Sequence, residues 1–269
     1  MSSTIHPTAI VDPKAQIGEG VKIGPFCTVG PDVVLGAGVE LVSHVVVAGR
    51  TAIGARGRIF PFASIGHPPQ DLKYRGEPST LTVGEDCIIR EGVTMNPGTE
   101  GGGMATVIGN SCAFLANSHV GHDAQIGNGV VFSNNAMCAG HVKIGNFVIV
   151  GGGAGLLQFI RIGDHSFIGG GAGVTSDVIP FGLVRDNPAH LAGLNLVGLK
   201  RRGFTREQIH ELRRAYRLLF ADEGTLAERV EDVAAEFSEH PLIDEILNFI
   251  REGGDKPLCT PRDATAAER

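Results

Sequence analysis

The chain has 269 residues, enough for one large domain or a large domain with a small companion, and 42 % of them are hydrophobic. Aromatics reach only 6 % and tryptophan is absent, so aliphatic and small side chains must fill the core; 39 glycines without a collagen period imply regularly spaced turns. A formal charge of −6 argues against a nucleic-acid binder.

The N-terminal MSSTIHPTAIV lacks a basic stretch followed by a long apolar run, which predicts no secretory signal. No apolar stretch is long enough to span a bilayer. Cys27, Cys87, Cys112, Cys138 and Cys259 are scattered and form no C-x-x-C, so they read as small buried residues of a reducing compartment. A cytoplasmic location is expected.

Stepping by six from Ile5 gives Val11, Ile17, Ile23, Val29, Leu35, Leu41, Val47, Ile53, Ile59 and Ile65 without a polar interruption. Val83, Ile89 and Met95 form a shorter run, and a second register runs from Ile108 through Phe114, Val120, Ile126, Phe132, Cys138, Ile144 and Val150 to Val174. Four places after each apolar position stands a small or β-branched residue, such as Cys27, Ala63, Ala124 or Ala154, and glycine often follows the apolar residue directly. Six does not fit the helical period of 3.6. The pattern predicts a short strand and a corner per hexad, with three hexads closing a triangular coil of eighteen residues and the coils stacking at strand spacing, ~4.8 Å. The glycines are assigned to corners too tight for a Cβ.

Two segments break the repeat. The first, from Gly66 to about Thr82, carries GHPPQDLKYRGEPST; the second, from Asn96 to Thr106, carries NPGTEGGGMAT. Loops ejected from a regular scaffold are where function tends to sit, and the first is the richer in polar and charged residues. The glycine-rich second reads as a flexible excursion. GGGAG at 151–155 falls on the repeat, without a strand-to-helix context, and is a corner instead of a phosphate cradle.

Beyond about Pro180 the repeat gives way to helical signals. The β-helical part is expected over 1–191 and a small α-helical domain over 192–252. Thr205 with Gln208 and Thr225 with Glu228 make capping boxes, and Pro241 opens a third helix. Residues 253–269 read as a disordered tail.

The eighteen-residue coil predicts neighbours. His122, Gly140 and Gln158 fall in one column, and Asp123 stacks under His141. A histidine beside a carboxylate, with a glycine N–H one coil away, suits proton transfer near neutral pH and stabilisation of an oxyanion. Zinc on His119, His122 and His141 is the rival reading, and the column arithmetic counts against it because His141 lies over Asp123; neither metal nor cofactor is expected. The run from Lys200 to Arg217, with Arg201 and Arg202, reads either as a solvated face or, on an acidic chain and beside the presumed site, as a surface for an acidic or phosphorylated partner.

HPTAIV, IGPFCTVG, SHVVV, FASIG, QDLKYRGEP, AGHV, GLKRRGF and the segment NSHVGHD together resemble the acyl-carrier-protein-dependent UDP-N-acetylglucosamine O-acyltransferase family, from about residue 5 to 250. QDLKYRGEP and GLKRRGF carry most of the specificity, since many transferases share hexads. The resemblance implies a left-handed parallel β-helix, a hand that departs from the usual crossover rule. It also implies a homotrimer with sites between subunits, and transfer of a (3R)-3-hydroxyacyl group from acyl carrier protein to the 3-position of a UDP-sugar, the first step of lipid A biosynthesis. By resemblance His122 is the general base, Asp123 orients it and the Gly140 N–H faces the oxyanion. Gln70, Asp71, Lys73, His119, His141, Gln158, Asn195, Arg201 and Arg202 match substrate-binding positions, and Phe167 and Gly170 match the acyl groove. Leu157, Val197 and the pair Asn96-Pro97 depart from the family's usual histidine, glutamate and basic pair, which bears on whether the acceptor carries a 3-hydroxyl or a 3-amine. The related N-acyltransferases carry an extra N-terminal domain, whereas hexads here begin at Ile5. A γ-class carbonic anhydrase would need metal on the three histidines.

Overall fold

The structure is a computed structural model that describes residues 2–262. Short strands, most of two residues, stack in parallel into three sheets. The first sheet runs from Thr4–Ile5 and ends with an antiparallel hairpin, Gly182–Arg185 and His190–Leu194; the second runs from Ile10–Val11 to Gly173–Val174, and the third from Gln16–Ile17 to Arg161–Ile162. Each strand pairs with the strand one coil on, as Val131↔Ile149 and Phe132↔Val150 do in the first sheet. The hexad aliphatics from Ile23 onward are buried, and Phe114 packs on Phe132 at 5.2 Å. At the N-terminal end no coil among the described residues covers Ile5, which is 46 % exposed although it starts the same series.

The corners differ from the expectation in one respect. Apart from Gly66, where the first ejected segment leaves at φ 84°, the glycines that follow the apolar positions, Gly24 among them, do not have positive φ. They are needed because a Cβ at Gly24 would come 1.8 Å from the carbonyl oxygen of Val42 in the next coil. The left-handed turn falls two residues later, where Phe26, His44, Phe62, Asn117, Asp123, Asn135 and His141 have φ between 50° and 66°. Asn, Asp and His tolerate this region best among residues with a Cβ.

Both ejected segments leave the corner between the second and third sheets, after Ser64–Ile65 and after Thr94–Met95. They end earlier than the sequence suggested. Thr80–Val83 and Ala105–Ile108 are four-residue strands, because Leu81 pairs with Thr51 and with Thr106 before the apolar hexad position is reached.

Four helices close the C-terminal end: α1 (Leu196–Arg201), α2 (Arg206–Leu219), α3 (Leu226–Glu236) and α4 (Pro241–Glu252). Both capping boxes form, and Pro241 occupies the first turn of α4. The short α1 lacks an obvious sequence signal; Asn195 caps it, its Oδ1 accepting from the Gly198 N–H. Arg161 joins helices to coil: Nε donates to Asp177 Oδ2 at 2.7 Å, a terminal nitrogen donates to the Phe249 carbonyl, and the guanidinium lies 4.2 Å from the Phe249 ring centre.

The tail is not disordered over its described part. Asp177 N–H donates to the Pro257 carbonyl, Cys259 N–H to the Asp177 carbonyl, and Leu191 N–H to the Thr260 carbonyl. The segment thus docks as an edge bridge with Cys259 buried. The remainder of the expected tail, 263–269, lies outside the described residues. All five cysteines are free and buried, and among the described residues no helix is long and apolar enough to cross a membrane.

Candidate active site

The corner between the second and third sheets carries His122, Gly140 and Gln158 on successive coils, because the strands before them, His119–Val120, Met137–Cys138 and Gly155–Leu156, stack in strict register. His122 and Asp123 are buried, and Asp123 occupies the left-handed turn at φ 59°. Asp123 Oδ2 accepts from His122 Nδ1 at 2.8 Å. That bond places the proton on Nδ1 and leaves Nε2 as the basic nitrogen.

Nε2 faces Gly140. A Cβ built on Gly140 would lie 2.6 Å from His122 Nε2 and 2.5 Å from Cε1, so only glycine fits there. The Gly140 N–H donates to no acceptor among the described residues. The corner between the third and first sheets shows the contrast. There the equivalent N–H groups of Asn110, Asn128 and Asn146 donate to the side-chain oxygens of Asn128, Asn146 and Asp164 one coil further. That asparagine ladder has no counterpart over Gly140, whose donor stays available beside the basic nitrogen.

His141 sits edge-on to His122, with ring centres 4.9 Å apart, and stacks on Phe159 at 4.4 Å. Burial pushes its pKa down against the pull of Asp123, with His122 lowering it further and Asp71 raising it. Asp71 brings the first ejected loop to this site. Asn96 tethers that loop by donating to the carbonyls of His67 and Pro68, and Asp71 Oδ1 accepts from the Lys73 N–H; Gln70 and Lys73 stay exposed. His119 turns Nδ1 to Thr94 Oγ1 at 2.7 Å, and burial, then His122, lowers its pKa. Among the described residues, the group whose ligand-type atoms lie within 4.8 Å of one another is His122, Asp123 and His141, not the three histidines of the zinc reading.

The second ejected loop is no loose excursion. Thr99 N–H donates to Asp123 Oδ1 at 2.8 Å and Thr99 Oγ1 to Oδ2 at 2.6 Å, while the Asp123 N–H donates to Thr106 Oγ1. Sequence reasoning missed these threonines, because the ejected residues shift Thr99 out of the eighteen-residue count.

The remaining predicted residues lie elsewhere. A cavity of about 780 Å³ opens between the first sheet and the helices; Phe167 lies in its wall, and Arg185, Arg201, Arg202, Arg213 and Arg217 line it without an acidic residue. Asn195 and Val197 also line it, though Asn195 spends its amide on the α1 cap and on the His165 carbonyl. Arg202 donates to the Phe147 carbonyl at 2.7 Å, at the corner between the third and first sheets. Its partial burial pushes its pKa down. Gly170 is not in the cavity wall; it is exposed at the corner after Phe167–Ile168. Arg185 was not anticipated, since it stands alone in the sequence. His122 and Gly140 do not line this cavity, so the predicted residues fall into two groups on different corners of one prism.

A family model described as UDP N-acetylglucosamine O-acyltransferase, domain 2, matches residues 177–259, and one for bacterial transferase hexapeptide repeats matches 14–49 and 105–140. A relative from Methylobacterium radiotolerans, named acyl-[acyl-carrier-protein]–UDP-N-acetylglucosamine O-acyltransferase, is 75 % identical over 77 % of this chain and 76 % of its own. One of the same name from Caulobacter vibrioides is 54 % identical over 96 % and 98 %. Among solved structures, the UDP-N-acetylglucosamine O-acyltransferase of Moraxella catarrhalis is 39 % identical with a TM-score of 0.91, covering 95 % of this chain and 99 % of its own. The Francisella novicida enzyme is 33 % identical with a TM-score of 0.92, covering 98 % and 96 %.

Proposed function

The chain belongs to the acyl-[acyl-carrier-protein]–UDP-N-acetylglucosamine O-acyltransferase family, and on that premise we propose that His122 is the general base of the transfer. The observation that carries this is the placement of Nε2 against the free Gly140 N–H. A sugar hydroxyl is a poor nucleophile until a base takes its proton as it attacks. His122 Nε2 takes the proton of the 3-hydroxyl, and the hydroxyl oxygen forms a bond to the thioester carbon. The Gly140 N–H donates to the resulting oxyanion. When the tetrahedral intermediate collapses, the C–S bond breaks and the leaving thiol of the acyl carrier protein takes the proton back from His122. Asp123 holds the tautomer and stabilises the imidazolium between these steps.

Gln70, Asp71, Lys73, His119, His141 and Gln158 orient the acceptor around this corner. The arginine-lined cavity supplies the charge that a diphosphate or an acidic carrier protein needs, and its apolar wall at Phe167, together with Gly170, suits an acyl chain. The two half-sites lie on different corners of one chain, so a complete site takes its second half from a neighbouring copy, in a homotrimer working in the cytoplasm. The single-variant test is His122→Ala. Acyl transfer measured with acyl carrier protein thioester and UDP-N-acetylglucosamine should fall by about a thousandfold, with the melting temperature unchanged. Near-normal transfer would remove His122 from the chemistry.

A further inference from the structure

We infer that Thr99 is a positioning residue for the acyl transfer and that the glycine-rich loop 96–104 is the clamp that carries it; the inference rests on His122 acting as base. Asp123 has no solvent-exposed side-chain area. A buried carboxylate must have its lone pairs filled by donors. Three donors do so here: Thr99 N–H on Oδ1, and both Thr99 Oγ1 and His122 Nδ1 on Oδ2. Two of the three come from Thr99. That residue therefore fixes the plane of the carboxylate, and through it the direction in which Nε2 points.

The loop is shaped for this single task. A Cβ on Gly102 would lie 1.9 Å from Asp123 Cγ and 2.2 Å from Oδ2, and one on Gly98 would lie 2.1 Å from Ala105 N. The glycines let the backbone close over the carboxylate and shut water out. The Thr99 hydroxyl and the imidazole share the same oxygen. Losing that hydroxyl would leave the imidazole as the one donor on Oδ2, so the carboxylate could turn and Nε2 would lose its aim at Gly140. The other titratable groups around the pair are His141 edge-on, His119 on the preceding strand, and Asp71 from the first loop.

The test compares Thr99→Val, Thr99→Ser and Gly102→Ala, reading kcat and KM for UDP-N-acetylglucosamine separately. Thr99→Val should lower kcat by about ten- to a hundredfold with KM changed less than about twofold. Thr99→Ser, which keeps the hydroxyl, should recover most of kcat. Gly102→Ala retains the threonine but collides with the carboxylate, so it should lose kcat as Thr99→Val does even if the valine variant folds poorly. A wild-type kcat in Thr99→Val or Gly102→Ala overturns the proposal, as do equal losses of kcat in the valine and serine variants. An active His122→Ala would instead defeat the base assignment, whereas an inactive His122→Ala beside a normal Thr99→Val would defeat the role of Thr99 alone.

Discussion

A methyl group on residue 140 would compete with the His122 ring for the same space, 2.5 Å from Cε1. Gly140→Ala should therefore tilt the ring or push the donor away while leaving the coil's hydrogen bonds intact. Acyl transfer should fall by at least about a hundredfold, the cost typical of losing an oxyanion donor, while the melting temperature stays close to that of the unsubstituted chain. A normal kcat in this variant would mean that the donor and the base do not act together. The pairing of His122 with Gly140 was legible from the sequence because eighteen residues separate them and nothing is inserted between. Thr99 was not legible. The loop that ends at Met104 offsets it from its partner, so that residues 24 apart meet, and the period offers no warning of that contact.

At the scale of elements, short local signals told the truth wherever their partners lie within one turn. The two capping boxes are of this kind, each closed by a partner three residues away, and so is the proline of α4, which fits a first turn that needs no N–H from it. The docked tail shows the limit of such signals. Pro257 to Thr260 carry no strand pattern of their own, and their order comes from unpaired groups on Asp177 and Leu191. The seat of α4 adds a pH dependence. Burial, reinforced by the nearby Asp164, pushes the Glu245 carboxyl from its ordinary 4.5 up to about 7. The folded chain then binds more protons than the unfolded chain between those values. Its contribution to stability is complete below about pH 4.5 and is lost as pH rises through about 7. Glu245→Gln keeps the shape and removes the charge, so it should melt close to the unsubstituted protein at pH 4.5 and above it at pH 8. A difference that does not grow with pH would refute the placement of this carboxyl.

For the whole molecule, the two groups of residues that the proposed function joins lie on different corners of one prism. His122 and Gly140 stand at the corner between the second and third sheets, whereas Arg202 is held at the next corner by the Phe147 carbonyl. The repeat predicted the prism and the column of His122 and Gly140, but it says nothing of the arginine cavity, which forms where the helices fold back on the last coils. If a neighbouring copy completes each site, two inactive variants should rescue each other. His122→Ala destroys one half and the pair Arg201→Glu with Arg202→Glu destroys the other, so each variant alone should be inactive. In trimers assembled at random from equal amounts of both, one interface in four joins an intact corner to an intact cavity. Co-expressed and co-purified as mixed trimers, they should regain about a quarter of the unsubstituted activity. A site contained within one chain would gain nothing from mixing, because every chain would still carry a damaged half.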